Sequence, residues 1–315
     1  MARLAFLFPG QGSQYVGMAQ DLYESDPETR KLFILAEQTT GLSLRRLCFD
    51  GPMEELTATV NLQPAVTLVN LCLFQALQQA GVAPQAVCGH SLGEYSALFA
   101  AGALSAADTL AAVKERGRLM QREADLHPGA MAAVIGLAPE KLAELLAPLI
   151  SQGPLALANF NTPEQTVVSG TPELVARAAE VCKAAGARTV PLKVSGAWHS
   201  PLMAAASPDF AAFLETIQFQ APQIPIYLNA TAAPETDPAR LRRAMGGQLT
   251  SPVRWAELIS NLKAAGVDTW VEVGPKNVLK GLVRKILPQE PGDNFFNVEN
   301  RESLTRFLEA LSNRV

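Results

Sequence analysis

Short apolar segments with the length of β-strands alternate along the chain with longer segments of helical periodicity. The first apolar segment, Leu4–Phe8, predicts a strand, and a long helical region follows it and ends near Ala80. A second strand is predicted at Ala86–Gly89, with helices after it at 92–101 and 106–124. Further strands are predicted at 224–228, 269–273 and 295–298. This alternation is typical of an α/β fold with a mainly parallel sheet, here a large α/β-hydrolase-like domain.

The middle of the chain has a different order of elements. Strands are predicted at 131–135, 155–158, 166–169 and 188–194, and helices at 139–150 and 172–185. The order strand-helix-strand-strand-helix-strand is the signature of a ferredoxin-like unit. We therefore expect a small inserted ferredoxin-like subdomain at 128–196 and a large catalytic domain formed by 1–127 and 197–315. A junction between domains is a favoured place for a ligand cleft.

Composition and charge narrow the classes of function. Hydrophobic residues make up 48% of the chain and charged residues 18%, with a formal net charge of −4. No global basic field attracts nucleic acid, and we expect no apolar run of the ~18–20 residues that a membrane span requires. The four cysteines, which lack the spacing of metal ligands, indicate reduced thiols in a cytoplasmic protein. They are Cys48, Cys72, Cys88 and Cys182.

The segment Gly89-His90-Ser91-Leu92-Gly93 matches the nucleophile elbow, G-x-S-x-G, with a strand before it and a helix after it. The sharp turn requires small residues two positions either side of the serine. Ser91 would then lie at a helix N-terminus, where the helix dipole and free N–H groups stabilise a developing anion. The structural alternative is a strand-to-helix turn with an inert serine.

A serine nucleophile requires a general base, and the chain has three histidines. His90 is adjacent to Ser91, and neighbouring side chains in an elbow diverge. His127 follows a helix among polar residues, which is typical of a surface position. His199 is predicted to end a strand at the subdomain junction, and it is the candidate base. The alternative is a core histidine that donates to a backbone carbonyl, which is partly compatible because a base also needs its other nitrogen held.

The loop after the first strand, residues 8–14, has two glycines. It lacks the third glycine of a dinucleotide-binding loop and the lysine of a phosphate-binding loop. A glycine-flanked turn of this kind can present the Gln11 N–H to an active site, and the Leu92 N–H would be the second oxyanion donor.

The helix predicted at 106–124 carries three arginines. At 100° per residue, Arg116 borders the apolar arc, whereas Arg118 and Arg122 lie on the polar side. An arginine that is directed inward requires an anion, because an unpaired buried charge is costly. A substrate carboxylate held by the guanidinium fork and an internal salt bridge are both open as that anion.

Together these residues resemble the malonyl-CoA:acyl carrier protein transacylases and the acyltransferase domains of fatty acid and polyketide synthases. The resemblance covers nearly the whole chain. The matching motifs are FPGQGSQ at 8–14, GHSLGEY at 89–95, RGRLMQ at 116–121, NFN at 159–161, QTVVSG at 165–170, VSGAWHS at 194–200, QLTSPVRW at 248–255 and VGPKNVLKGL at 273–282. With NFN and QTVVSG counted as one motif in two parts, these are seven motifs in the right order, which is a very specific signal.

The resemblance implies a role for each matching residue. Ser91 looks like the acylated nucleophile, His199 the base and Arg116 the partner of the malonyl carboxylate. Gln11 looks like the oxyanion residue, and Gln248 looks like the residue whose backbone carbonyl orients the base in a dyad without a triad acid.

Three more positions follow from the same resemblance. Asn159 and Gln63 look like supporting residues of the active site. The aromatic residue before the base is commonly phenylalanine in malonyl-selective members, and here it is Trp198, which affects the size of the acyl pocket.

The resemblance further implies transfer of a malonyl group from coenzyme A to an acyl carrier protein by a ping-pong mechanism. Malonyl-CoA is a substrate, no cofactor or metal is required, and a monomer is expected. The rivals are an α/β-hydrolase esterase, in which the histidine usually lies near the C-terminus after the acid, and a non-catalytic carrier-binding module. The sequence does not distinguish a fatty acid from a polyketide pathway.

Overall fold

The computed structural model of the chain describes residues 3–288 and 294–313. The larger sheet consists of β1 Leu4–Phe8, β2 Ala86–Gly89, β7 Ile226–Tyr227, β8 Pro234–Glu235, β9 Thr269–Val273 and β10 Asn294–Val298. Their order across the sheet is β10-β9-β1-β2-β7-β8. All neighbours are parallel except β8, which pairs antiparallel with β7 at one edge. The predicted α/β fold with a mainly parallel sheet is confirmed.

Helices cover both faces of this sheet. They are α1 Gln20–Ser25, α2 Pro27–Thr40, α3 Leu44–Phe49, α4 Met53–Thr57, α5 Thr59–Gln79, α6 Gly93–Ala100, α7 Ala106–Leu126, α10 Ala206–Leu214, α11 Pro238–Gly247, α12 Trp255–Ala264, α13 Val278–Ile286 and α14 Arg301–Ser312. In β1, Phe6 and Phe8 belong to the core on one face, whereas Ala5 and Leu7 belong to the core on the other. Burial on both faces explains why β1 is continuously apolar.

Helix α5 corrects one expectation. It is long and apolar enough to cross a membrane by length and composition, contrary to our reading of the sequence. However, 83% of its most apolar window is buried inside the protein, and every residue from Leu62 to Leu73 is buried. A helix that is apolar on all sides is typical of a core position. We therefore assign α5 as the central core helix.

The smaller sheet is antiparallel and has the order β4-β5-β3-β6. Its strands are β3 Ala130–Ile135, β4 Leu155–Thr162, β5 Gln165–Gly170 and β6 Arg188–Pro191, with helices α8 Pro139–Ile150 and α9 Pro172–Ala184. The predicted order of elements is confirmed, and the two helices share a separate apolar core with the sheet. The exact subdomain limits, 128 and 196, stay a prediction.

Strand β4 is longer than expected, and its extra length connects the two sheets. The Phe160 N–H donates to the Val253 carbonyl, and the Val253 N–H donates to the Ala158 carbonyl, each over 2.8 Å. These bonds bring Asn159 next to the segment that follows α11. The small sheet is therefore hydrogen-bonded directly to the segment between α11 and α12.

The segment between β6 and the short 3₁₀ helix Pro201–Met203 differs from the prediction. Strand β6 ends at Pro191, so His199 does not close a strand. His199 lies in an irregular turn with a φ of 56°, in the left-handed region. A non-glycine residue in that region is held there by its surroundings, and such residues cluster at functional sites.

Candidate active site

The nucleophile elbow has the geometry that its sequence predicts. A Cβ on Gly89 would lie 2.0 Å from the backbone carbon of Gly93, and a Cβ on Gly93 would lie 1.9 Å from the Phe8 carbonyl oxygen. Only glycine fits at either position. Between them Ser91 has a φ of 52°, which turns its side chain out of the bend at the start of α6.

Asn229 holds this strained turn. Its Oδ1 accepts a hydrogen bond from the Ser91 N–H, and its Nδ2 donates to the Gly89 carbonyl, each over 2.7 Å. The Asn229 N–H donates to the Glu94 carboxylate over 2.7 Å. Sequence reasoning missed Asn229. Only its position could have indicated it. Asn229 follows β7, and Ser91 follows β2, the parallel neighbour of β7, so both residues lie at the same edge of the sheet.

Ser91 and His199 form a hydrogen-bonded pair, with 2.7 Å between Ser91 Oγ and His199 Nε2. The other ring nitrogen, Nδ1, lies 2.8 Å from the Ser251 carbonyl and 3.2 Å from the Gln248 carbonyl. Two acceptors at Nδ1 require the proton there, which leaves Nε2 as the acceptor for the serine proton. The resemblance indicated Gln248, but the nearer carbonyl belongs to Ser251, which sequence reasoning missed.

The surroundings of His199 keep its imidazole neutral. Burial, and then the positive charge of Arg116, lower the pKa of His199 from 6.5 to about 3. A general base must be unprotonated to act, so the buried ring is ready to accept a proton at neutral pH.

This shift predicts a pH-dependent stability. Between pH 6.5 and pH 3 the unfolded chain binds a proton at His199 that the folded chain does not, so the free energy of unfolding falls as the pH falls. His199→Asn has no titrating group at this position, although its Nδ2 can still donate to the Ser251 carbonyl, so it lacks this pH dependence. Relative to that variant, the wild type should lose about 2 kcal/mol between pH 7 and pH 5, as measured by urea unfolding. Parallel pH curves for the two proteins would contradict the assignment.

The other two histidines lie where the sequence indicated, away from the base position. His90 is directed away from the catalytic pair, and its Nε2 lies 2.8 Å from Asn161 Oδ1 on β4. Burial lowers the pKa of His90. His127 is exposed at the end of α7.

Arg116 lies beside the serine with only 1% of its surface exposed. Its Nη2 donates to Ser91 Oγ over 3.1 Å, and its Nε donates to Gln248 Oε1 over 2.9 Å. Its Nη1 donates to Gln63 Oε1 over 2.8 Å and contacts the Met120 sulfur over 3.0 Å. The guanidinium is therefore aimed at the reacting oxygen by neutral side chains.

The inward direction of Arg116 is confirmed. Arg118 is exposed and pairs with Glu115, whereas Arg122, with 34% of its side chain exposed, pairs with Asp209 and Glu123. Across residues 3–288 and 294–313, no carboxylate lies within 4 Å of the Arg116 guanidinium. The alternative of an internal salt bridge therefore finds no partner in the described chain.

The loop after β1 contacts the elbow directly. A Cβ on Gly10 would lie 2.7 Å from the His90 carbonyl and 3.4 Å from the Leu92 nitrogen. Gln11 and Leu92 both line the cavity beside Ser91. Neither backbone N–H has a hydrogen-bond acceptor in the described part of the chain. This arrangement agrees with the expected pair of oxyanion donors, and their role stays a prediction.

A cavity of about 280 Å³ opens between the two sheets and contains the Ser91 side chain. Its walls include the three positions that were proposed from the resemblance, Gln63, Asn159 and Trp198. Trp198 is 5% exposed and also packs in the main core. It therefore borders the pocket and joins the core at once.

The fold and this site define a class: α/β proteins with a serine–histidine pair on a nucleophile elbow, in which backbone carbonyls hold the imidazole. Comparison with known families places the chain within that class. It belongs to the acyl transferase domain family, whose model matches residues 5–304.

Similar proteins align with this chain over nearly the full length of both. The malonyl CoA-acyl carrier protein transacylase of Bacillus subtilis (strain 168) is 42% identical over 288 residues, which is 91% of each chain. An acyl carrier protein S-malonyltransferase from Vibrio cholerae has 39% identity and a TM-score of 0.92, covering 97% of this chain and 100% of that one. A malonyl-transacylase solved in complex with a type II polyketide synthase acyl-carrier protein has 37% identity and a TM-score of 0.93, with 98% and 100% covered.

Proposed function

We propose that this protein transfers a malonyl group from coenzyme A to the phosphopantetheine thiol of an acyl carrier protein, through an ester on Ser91. One observation carries the proposal. A buried arginine with no carboxylate partner in the described chain points at the oxygen of a serine that is paired with a neutral histidine. The named activity of full-length relatives supports the same reaction.

In the first half-reaction, His199 Nε2 takes the Ser91 proton as Oγ attacks the thioester carbonyl. The N–H groups of Gln11 and Leu92 stabilise the resulting oxyanion. The tetrahedral intermediate collapses with cleavage of the C–S bond, and His199 returns the proton to the departing coenzyme A sulfur. In the second half-reaction the carrier thiol gives its proton to His199 and attacks the malonyl ester; the C–O bond to Ser91 then breaks, and His199 returns the proton to Ser91 Oγ. The cycle balances without a cofactor.

Arg116 provides the selectivity for an acyl group with a free carboxylate. Its guanidinium lies in a desolvated pocket, where a charge-assisted hydrogen bond is stronger than in water. An acetyl group brings no negative charge to this cation. Gln63, Met120 and Gln248 hold the guanidinium without neutralising it.

A transfer assay tests the proposal against an esterase. Labelled malonyl-CoA is mixed with the enzyme, with and without an acyl carrier protein that bears phosphopantetheine. We expect the label on the carrier protein, and little free malonate while the carrier is present. Release of malonate at the same rate with and without the carrier would show a hydrolase instead.

We further propose that the protein works in the cytoplasm as a monomer and serves fatty acid or polyketide synthesis. All four cysteines are free and buried, which suits a reducing compartment. Every group placed in the site comes from one chain, so the reaction as proposed needs no partner subunit.

Trp198 predicts a narrow acyl pocket. Indole is larger than the phenyl ring that is more common at this position, so a methyl branch on the malonyl α-carbon must displace packed atoms. We expect malonyl-CoA to be preferred over methylmalonyl-CoA. Trp198→Ser should raise the methylmalonyl-to-malonyl ratio of kcat/KM by about tenfold or more, since overpacking costs ~1–3 kcal/mol. A loss of thermal stability with an unchanged ratio would show that Trp198 only packs the domains together.

A further inference from the structure

Glu94 is a buried carboxylate that the mechanism above does not use. It lies in the first turn of α6 with 1% of its surface exposed. Oε1 accepts a hydrogen bond from the Asn229 N–H over 2.7 Å, and Oε2 accepts one from Gln248 Nε2. In the described part of the chain, neither oxygen bonds to the side chain of Ser91 or His199. Its hydrogen bonds therefore reach the reacting groups through these two partners, and its negative charge also acts on the Arg116 guanidinium through space.

The Gln248 side chain has one orientation that satisfies its neighbours. Its Nε2 faces two acceptors, the Glu94 carboxylate and the Ser91 carbonyl, the latter over 2.9 Å. Its Oε1 consequently faces two donors, Arg116 Nε over 2.9 Å and the Tyr95 hydroxyl over 3.2 Å. A reversed amide would set its NH₂ group against the Arg116 N–H at one end and its oxygen against the Glu94 carboxylate and the Ser91 carbonyl at the other.

The orientation of this amide decides how Arg116 is held. With Oε1 towards the guanidinium, Nε is anchored and Nη2 points at Ser91 Oγ. The anchor is neutral, so the positive charge stays available for a substrate anion. A carboxylate in direct contact would fix the arginine equally well but would neutralise it.

We infer that Glu94 is a positioning residue for recognition of the substrate carboxylate, and that it acts through Gln248 to aim Arg116. This inference rests on the proposed function. Burial raises the pKa of Glu94 to about 7, whereas the Asn229 and Gln248 hydrogen bonds and the charge of Arg116 oppose that shift. Measurements at pH 8 therefore examine the carboxylate form.

The first test is Glu94→Gln. The new amide can still accept from the Asn229 N–H, so the elbow is preserved. Its NH₂ group, however, faces Gln248 Nε2 as donor to donor, so the Gln248 amide loses its acceptor at position 94 and no longer holds Oε1 firmly towards Arg116 Nε. We expect kcat/KM for acylation by malonyl-CoA to fall about 10- to 100-fold, mainly through KM. Acylation by acetyl-CoA should change much less.

A matched control is Glu272→Gln. Glu272 is also buried, and its oxygens accept hydrogen bonds from the N–H groups of Leu279 and Lys280 at the start of α13. Burial raises its pKa to about 7 as well. It has no contact with Gln248 or Arg116 in the described structure. This variant should lower stability while leaving the malonyl-to-acetyl ratio unchanged.

Gln248→Met completes the test and remains informative if Glu94→Gln does not fold. It removes the amide but keeps the backbone carbonyl at His199. We expect a loss that is specific to malonyl-CoA, and little further change in the malonyl-to-acetyl ratio when Glu94→Gln is added, because linked residues are non-additive. A ratio that falls by the same factor in both backgrounds would overturn the inference.

An unchanged malonyl-to-acetyl ratio in Gln248→Met, or in a folded Glu94→Gln, would also overturn the inference. The wild type separates this failure from that of the proposed function. If the wild-type enzyme is acylated selectively by malonyl-CoA, only the role of Glu94 is lost. If malonyl-CoA does not acylate the wild type, the proposed function itself is wrong.

Discussion

Replacing Ser91 with alanine is expected to abolish acyl-enzyme formation from malonyl-CoA. Ser91 Oγ is the one hydroxyl that contacts both His199 and Arg116 among the described residues. His199→Ala should slow acylation by about 10²- to 10⁴-fold, which is the usual contribution of a general base. Because the pair acts as a unit, the double variant should be little worse than the worse single one. Acylation reactions quenched at successive times and analysed by intact-protein mass spectrometry measure the rate for all three variants.

His127→Ala is the matched control for the base. His127 is exposed at the end of α7 and does not line the described pocket, so its loss should leave the rate of acylation unchanged. An acyl group that still accumulates at the wild-type rate on Ser91→Ala would remove Ser91 from the mechanism.

Replacing Arg116 with alanine should lower malonyl transfer by roughly 30- to several-thousand-fold. Loss of one partner from a desolvated charge pair costs ~2–5 kcal/mol, at ~1.4 kcal/mol per decade. Transfer of an acetyl group should hold steady or rise, because an unpaired buried cation no longer opposes a neutral acyl group. Values of kcat/KM for the two acyl-CoAs test this directly.

Arg118→Ala provides the control from the same helix. Arg118 is exposed and bonded to Glu115, and exposed ion pairs contribute little. Its loss should change both substrates by less than about twofold. Equal losses for malonyl and acetyl transfer in Arg116→Ala would show that Arg116 serves only the structure.

The fold was predictable where local patterns and burial agree. The apolar run of β1 and the amphipathic helix α8 appear at the predicted positions. The predicted strand ends that were wrong are those set by contacts with distant parts of the chain. Strand β4 continues to Thr162 because it pairs with β5 as far as Thr162 and Gln165, and β6 stops at Pro191, its last residue paired with β3. The hydrophobic pattern within a strand does not show where its pairing with a neighbouring strand ends.

The residues of the site also divide into those that a local pattern identifies and those that it does not. Ser91 and Arg116 were identified because a glycine-bounded turn and a helical period are local properties. Asn229, Ser251 and Glu94 were missed for a different reason. Each acts through a hydrogen bond to a group more than 50 residues distant, and Ser251 uses a backbone carbonyl, which any residue type provides. Family resemblance found Gln248, which composition and spacing alone did not.

Peptide mapping after brief exposure to malonyl-CoA shows which residue carries the acyl group. The enzyme is quenched in acid, digested and analysed by mass spectrometry, before and after addition of an acyl carrier protein with a free phosphopantetheine thiol. A mechanism through an ester on Ser91 predicts one malonyl increment, on Ser91, that disappears as the same increment appears on the carrier protein. An increment on another residue, or transfer to the carrier with Ser91 never modified, would contradict it.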